Sequence, residues 1–181
     1  PHWNQNTILV LSLSKLGLPG VRTGIVVARE DVIQAFSNAN TVVSLACGNF
    51  GPTIARELFR TGEILSLSRK LIKPFYQQRA TQAVKWFKES FGDVPYRIHK
   101  PEGAIFLWLW FDGLPISSQE LYERLKRRGV LVVPGHNFFP GMDKAWRHQQ
   151  ECIRVSYAQD GDTVRKGIAL IAEEVTKAYK Q

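Results

Sequence analysis

Ser12-Leu13-Ser14-Lys15-Leu16-Gly17-Leu18-Pro19-Gly20-Val21-Arg22-Thr23-Gly24 decides how this chain is read. A lysine follows an apolar strand pattern, Thr7 to Leu11, and a loop rich in glycine and proline follows the lysine. The loop ends in an arginine and leads into a second apolar strand pattern, Ile25 to Ala28. Both read as buried strands of a parallel sheet. Burying an ammonium group is costly unless it is paired or neutralised. A lysine at the inner end of a strand therefore implies a task. One such task uses the neutral amine, in a Schiff base with an aldehyde cofactor. Desolvation and nearby Arg22 would lower the amine's pKa from its ordinary value of about 10.4. The competing reading of Lys15 is a solvated surface lysine.

Outward from this loop the pattern is helical. Asp31 opens a short helix with Val32, Ile33 and Phe36 inward. Pro52 suits the first turn of the next helix, whose apolar positions are Ile54, Ala55, Leu58 and Phe59, and Thr61-Gly62 breaks it. A helix with Ile64, Leu65, Leu71 and Ile72 inward is expected to end at Pro74. The following one carries the stripe Ala80, Ala83, Val84, Phe87 and Phe91. After Gly92-Asp93-Val94-Pro95 the pattern turns to strands. Tyr96–Ile98 and Ala104–Trp110 flank a Lys-Pro-Glu-Gly turn, and further strands are read at Val130–Val133 and Cys152–Tyr157. Ser117 and Glu120 make a capping-box signature for a helix that buries Leu121 and Leu125 and stops at Gly129. The last helix aligns Val164, Ile168, Ile171, Val175 and Tyr179 on one face. The organisation expected is the end of a large α/β domain with connecting helices over 1–75, then a small α+β domain over 76–181.

Composition narrows the class. Hydrophobic residues make up 44% of the 181, enough for a core. The longest apolar run, Ala104 to Phe111, is far shorter than the roughly 18 residues that span a bilayer, so no membrane partner is expected. The net charge of +8 raises a nucleic-acid reading. The basic residues are spread through the chain, however, and the densest run, Lys126-Arg127-Arg128, lies where a helix C-terminus favours cations. A nucleic-acid partner is therefore ranked last. Cys47 and Cys152 are too few and too far apart for a disulfide framework, which points to a reducing cytoplasm.

The lysine loop resembles the lysine motif of the fold-type I, class I/II aminotransferases, which use pyridoxal 5′-phosphate (PLP). The likeness continues in the same order through Pro101-Glu102-Gly103-Ala104-Ile105-Phe106-Leu107-Trp108, Val132-Val133-Pro134-Gly135-His136-Asn137-Phe138 and Ile153-Arg154-Val155-Ser156-Tyr157, and so covers nearly the whole chain. It implies an α/β fold, the C-terminal half of such a transferase, with the groups that face the cofactor ring supplied from upstream. The first residue, Pro1, and the single methionine, Met142, agree with that expectation. The half alone is expected to be a poor catalyst.

The resemblance also assigns roles. Lys15 would carry the cofactor. Arg22, whose planar fork matches phosphate oxygens, would hold the cofactor phosphate. Ser12 and Ser14 share a strand face by the two-residue period, and their hydroxyls would donate to the same phosphate. Arg154 alternates with Ile153 and Val155 and so lies on the other strand face. Pattern alone would leave it an exposed strand arginine; the resemblance makes it the residue that grips the substrate α-carboxylate. Partners would be a small-molecule amino acid, a 2-oxo acid and a second copy in a homodimer. The Lys15-to-Arg22 spacing is one residue shorter than in many class I enzymes. It matches the aminotransferase-like domains of winged-helix regulators, which keeps a PLP-binding effector domain of a transcription regulator as the alternative.

Remaining residues carry weaker readings. Asn49 and Phe50 match a place near the partner subunit's cofactor, or are simply a helix-entry loop. His136 matches a loop at the site's mouth, or is polar surface. His136, His148 and Cys152 have no standard zinc spacing, so no metal is expected. Phe106, Trp108 and Trp110 are expected to fill the small domain's core.

Overall fold

The computed structural model describes residues 2–142 and 146–181. The chain divides into two compact units, one ending at Pro74 and the other beginning at Phe75.

In the first unit, β1 (Leu9–Ser12) pairs with β2 (Gly24–Val27). The pairing is antiparallel, with Leu9 opposite Val27 and Ser12 opposite Gly24, which corrects the parallel reading of this pair. The connection folds into two 3₁₀ turns, Leu13–Leu16 and Pro19–Val21, and brings the chain straight back. Parallel neighbours need a crossover, usually through a helix. The strands are also not buried as expected: Val10 is 67% exposed. Buried apolar side chains here are Leu13, Ala55 and Ile64.

Helix α1 (Glu30–Ser44) is longer than its reading, and Phe36 points outward at 58% exposure. Helix α2 (Phe50–Arg60) places Pro52 in its first turn, where a missing N–H costs nothing, and stops at Gly62, whose φ is +73°. Helix α3 (Glu63–Leu67) leads into a π-helical turn, Ser68–Ile72, and then α4 (Lys73–Ser90). The stop expected at Pro74 does not occur. Pro74 falls in the first turn of α4, and the widened turn before it, closed by Lys73 N–H on the Ser68 carbonyl, carries the ladder past the missing donor.

The second unit is built on one antiparallel sheet ordered β3 (Tyr96–Ile98), β4 (Phe106–Phe111), β6 (Cys152–Ser156), β5 (Val133–Pro134). The strand read at Val130–Val133 is thus reduced to two residues at the sheet edge. One sheet face, with Leu107, Leu109, Phe111, Ile153 and Val155, meets α4, α5 (Ser118–Arg127) and α6 (Gly161–Tyr179). Phe87, Leu121, Leu125 and Ile168 close this core from the helix side. The helices start where local chemistry dictates. Ser117 Oγ accepts from Glu120 N at 3.1 Å, and Asp160 Oδ1 accepts from Thr163 N at 2.9 Å. The Thr163 bonds hold the Asp160 carboxyl below its usual range. Gly129, at φ +78°, ends α5 as its position requires.

Strand β4 corrects one expectation directly. Its buried residues alternate, and Phe106, Trp108 and Trp110 stand on the face away from the helical core. Strand pleating sends alternate side chains to opposite faces, and the helices cover only one of them. Among the described residues, no helix is long and apolar enough to cross a membrane.

Candidate functional site

In the first unit the site residues share one connection. Ser12 ends β1, and its Oγ accepts from Ser14 N at 3.3 Å, which starts the first 3₁₀ turn. Buried Leu13 anchors that turn. Gly17 closes it at φ +100°, so tightly that a Cβ there would lie 2.7 Å from Ile72 Cγ1. Lys15 stands in the turn's last positions and is exposed, so the desolvation expected around it is not supplied within this unit. Arg22 ends the second turn in a left-handed conformation, φ +47°, and donates from Nη1 to the Pro19 carbonyl at 3.5 Å.

A residue overlooked in the sequence positions this arginine. A Cβ on Gly51 would sit 2.1 Å from Val21 O and 2.2 Å from Thr23 Oγ1. Only glycine lets the start of α2 approach the Val21–Thr23 backbone that carries Arg22. The signal was the Asn49-Phe50-Gly51 string itself, ahead of Pro52. Asn49 precedes α2 without a side-chain cap bond, and Phe50 is exposed.

Ser12, Ser14, Lys15 and Arg22 thus lie on one connection between two paired strands. The donor set is two hydroxyls, an amine and a guanidinium. No acidic residue occurs before Glu30. A donor set of this kind suits a phosphate-bearing aldehyde: the amine matches the carbonyl, and the remaining donors match the anion. The residues present fit PLP.

Arg154 belongs to the second unit. On β6, Ile153 and Val155 face the core while Arg154 shares the outer face, directly across from Trp108 on β4 and Val133 on β5. Its guanidinium carbon lies 4.1 Å from the centre of the Phe106 ring and 4.8 Å from that of Phe138. Arg154 Nε is buried, and among the described residues it has no hydrogen-bond partner. A buried, unspent N–H is costly and leaves a donor available to a ligand. The fork fits a carboxylate.

The same face is aromatic over much of its extent. Trp108 meets Phe138 edge-on at 5.1 Å. Trp110 donates from Nε1 to Glu151 Oε2 at 2.9 Å; Glu151, only 5% exposed, also accepts from Gly113 N and pairs with Arg147 at 2.7 Å. His148 stacks on Trp146 with ring centres 4.6 Å apart, and its Nε2 is 3.4 Å from Cys152 Sγ. Burial pushes the Cys152 thiol up to about 12, so it stays neutral at physiological pH. His136 addresses Ser118 Oγ through Nδ1 at 3.4 Å instead of joining His148 and Cys152. Among the described residues, no group of three or more His, Cys, Asp or Glu could hold a metal ion.

A sequence model described as Aminotransferase class I and II matches residues 2–171. Valine–pyruvate aminotransferase of Escherichia coli K12 is 48% identical over 181 residues, covering 100% of this chain and 43% of that protein. The crystal structure of valine–pyruvate aminotransferase from Salmonella typhimurium LT2 matches with TM-score 0.91 at 49% identity, over 100% of this chain and 47% of that one. A putative amino-acid aminotransferase from Psychrobacter arcticum 273-4 also matches with TM-score 0.91, at 54% identity, over 100% and 42%. The chain spans less than half the length of each of these relatives. The family match runs through both units, from residue 2 to residue 171, and the chain belongs to the class I and II aminotransferase family.

Proposed function

We propose that the intact protein is a PLP-dependent transaminase that moves an amino group between an amino acid and a 2-oxo acid. The observation that carries this reading is the Ser12–Arg22 connection, with its amine, hydroxyls and guanidinium and no carboxylate in the first 29 residues. The name of the E. coli relative supports valine and pyruvate as substrates, giving 3-methyl-2-oxobutanoate and alanine.

When bound, PLP supplies an electron sink for bonds at the substrate α-carbon. Lys15 would hold the cofactor through its amine, while Arg22, Ser12 and Ser14 donate to the phosphate. Arg154 binds the substrate α-carboxylate by two parallel N–H···O bonds and so fixes the direction of the Cα–H bond. Once the substrate's amino group has taken its place on the cofactor, the Lys15 amine is released and would take the proton from that Cα. Phe106, Trp108 and Phe138 beside Arg154 give this face an apolar surface that suits a neutral, branched side chain. A homodimer follows from the family resemblance. The free thiols of Cys47 and Cys152 support a cytoplasmic setting.

The test uses the intact protein. PLP is added, the adduct is reduced with borohydride, and the labelled peptide is mapped by mass spectrometry. A phosphopyridoxyl group on Lys15, with alanine formed from valine and pyruvate, is the expected result. A folded protein with Lys15 unlabelled overturns the reading.

A further inference from the structure

We propose that Phe138, acting with Phe106, is a positioning residue for the Arg154 guanidinium. The proposal rests on the transaminase reading, in which Arg154 receives the substrate carboxylate. An arginine fork can be held in place in two ways. A protein carboxylate would orient it but consume the same N–H groups that the substrate needs. Aromatic rings hold the guanidinium through its π faces and leave its edge donors open.

The structure shows the second arrangement. Among the described residues the buried Arg154 Nε has no hydrogen-bond partner, and the guanidinium carbon lies 4.1 and 4.8 Å from the centres of the two rings. β6 lies between β4 and β5, so the rings reach Arg154 from opposite flanks: Phe106 from β4, and Phe138 from the turn that follows β5. Phe138 is itself braced. Trp108, directly across from Arg154, meets it edge-on at 89°. The turn is seated on β6 at Gly135, where a Cβ would lie 2.7 Å from Cys152 Cβ. Asn137 Nδ2 closes the turn on the Pro134 carbonyl at 3.4 Å. The ring of Phe138 thus sits in a supported place, although the residue is partly exposed.

The experiment compares Phe138→Leu, Phe138→Trp, Arg154→Met and the Leu/Met double variant as intact PLP-loaded proteins. The readouts are KM for valine and pyruvate and the calorimetric Kd of 3-methylbutanoate, a carboxylate with no amino group to react. Phe138→Leu is expected to raise the KM values and the Kd together by about tenfold, with cofactor absorbance unchanged. Phe138→Trp, which restores a π face, returns them to within about threefold of the parent. In the Arg154→Met background, Phe138→Leu adds nothing further. An unchanged Kd in Phe138→Leu, or an equal effect with and without Arg154, overturns the positioning role. If Arg154→Met alone leaves the Kd unchanged, the carboxylate reading of Arg154 fails instead. Should Phe138→Leu not fold, a Phe138→Trp protein that loses 3-methylbutanoate binding would likewise refute the proposal.

Discussion

Arg154→Met separates function from stability, and the structure gives the sign of each effect. The buried Nε of Arg154 lacks a partner among the described residues, and an unsatisfied buried donor costs about 1–3 kcal/mol. Its two ring contacts return about 0.5–1 kcal/mol each. Methionine keeps an apolar stem among the rings and removes both terms. The net change in folding stability therefore lies between a loss of about 1 and a gain of about 2 kcal/mol. The effect on catalysis is one-sided. Two charge-assisted hydrogen bonds to the substrate carboxylate are lost, at about 1.5–3 kcal/mol each. Transamination should then fall roughly a hundred- to ten-thousand-fold in kcat/KM. The assay measures alanine formed from valine and pyruvate by the PLP-loaded intact protein, beside its thermal midpoint. A stability loss above about 3 kcal/mol would mark Arg154 as structural, and near-parental kcat/KM would remove it from substrate binding.

Other outcomes follow from single residues. Gly51→Ala places a methyl 2.1 Å from the Val21 carbonyl and must push the Arg22 loop away from α2; titration of cofactor absorbance should show PLP affinity reduced about ten- to a hundredfold. Ser117→Ala removes the α5 cap and should cost about 1 kcal/mol in denaturant unfolding, while Ser117→Asn largely preserves it. At Glu174, burial opposes ionisation, but bonds from Lys177 and Arg128 outweigh it and hold the carboxyl below its ordinary 4.5. Its contribution is therefore full above that ordinary value and lost as pH falls through the lower folded value; Glu174→Gln should cost about 1–2 kcal/mol at neutral pH and flatten the fall in thermal midpoint below pH about 4.5. The Cys152 thiol, pushed up to about 12 by burial, should resist iodoacetamide in the folded protein and react once denaturant is added, as peptide mass spectrometry would show.

Local chemistry explains which elements were legible in the residues. Ser117 with Glu120, the Val164–Tyr179 stripe, and the turn between Tyr96–Ile98 and the strand ending near Trp110 each act within a few residues, and each element formed close to its reading. Family membership was legible too, because four motifs occur in one order along the chain. Features that depend on distant partners were not. Glu151 looked like an ordinary surface acid, yet it is buried beneath Trp110, Gly113 and Arg147. Gly51 matters only because Val21 lies against it.

The residues alone identify the chain as an α/β piece of the class I and II aminotransferases and single out Lys15, Arg22 and Arg154 as candidates for its chemistry. Tertiary structure alone decided that β1 and β2 run antiparallel, that Phe106, Trp108 and Trp110 leave the core, and that Phe138 meets Arg154. The run Phe106-Leu107-Trp108-Leu109-Trp110-Phe111 is apolar on both faces, so its own pattern cannot say which face meets the helices. Periodicity is a property of neighbours in the chain; burial depends on which other elements cover each face, and only the folded arrangement of β6, α5 and α6 supplies that.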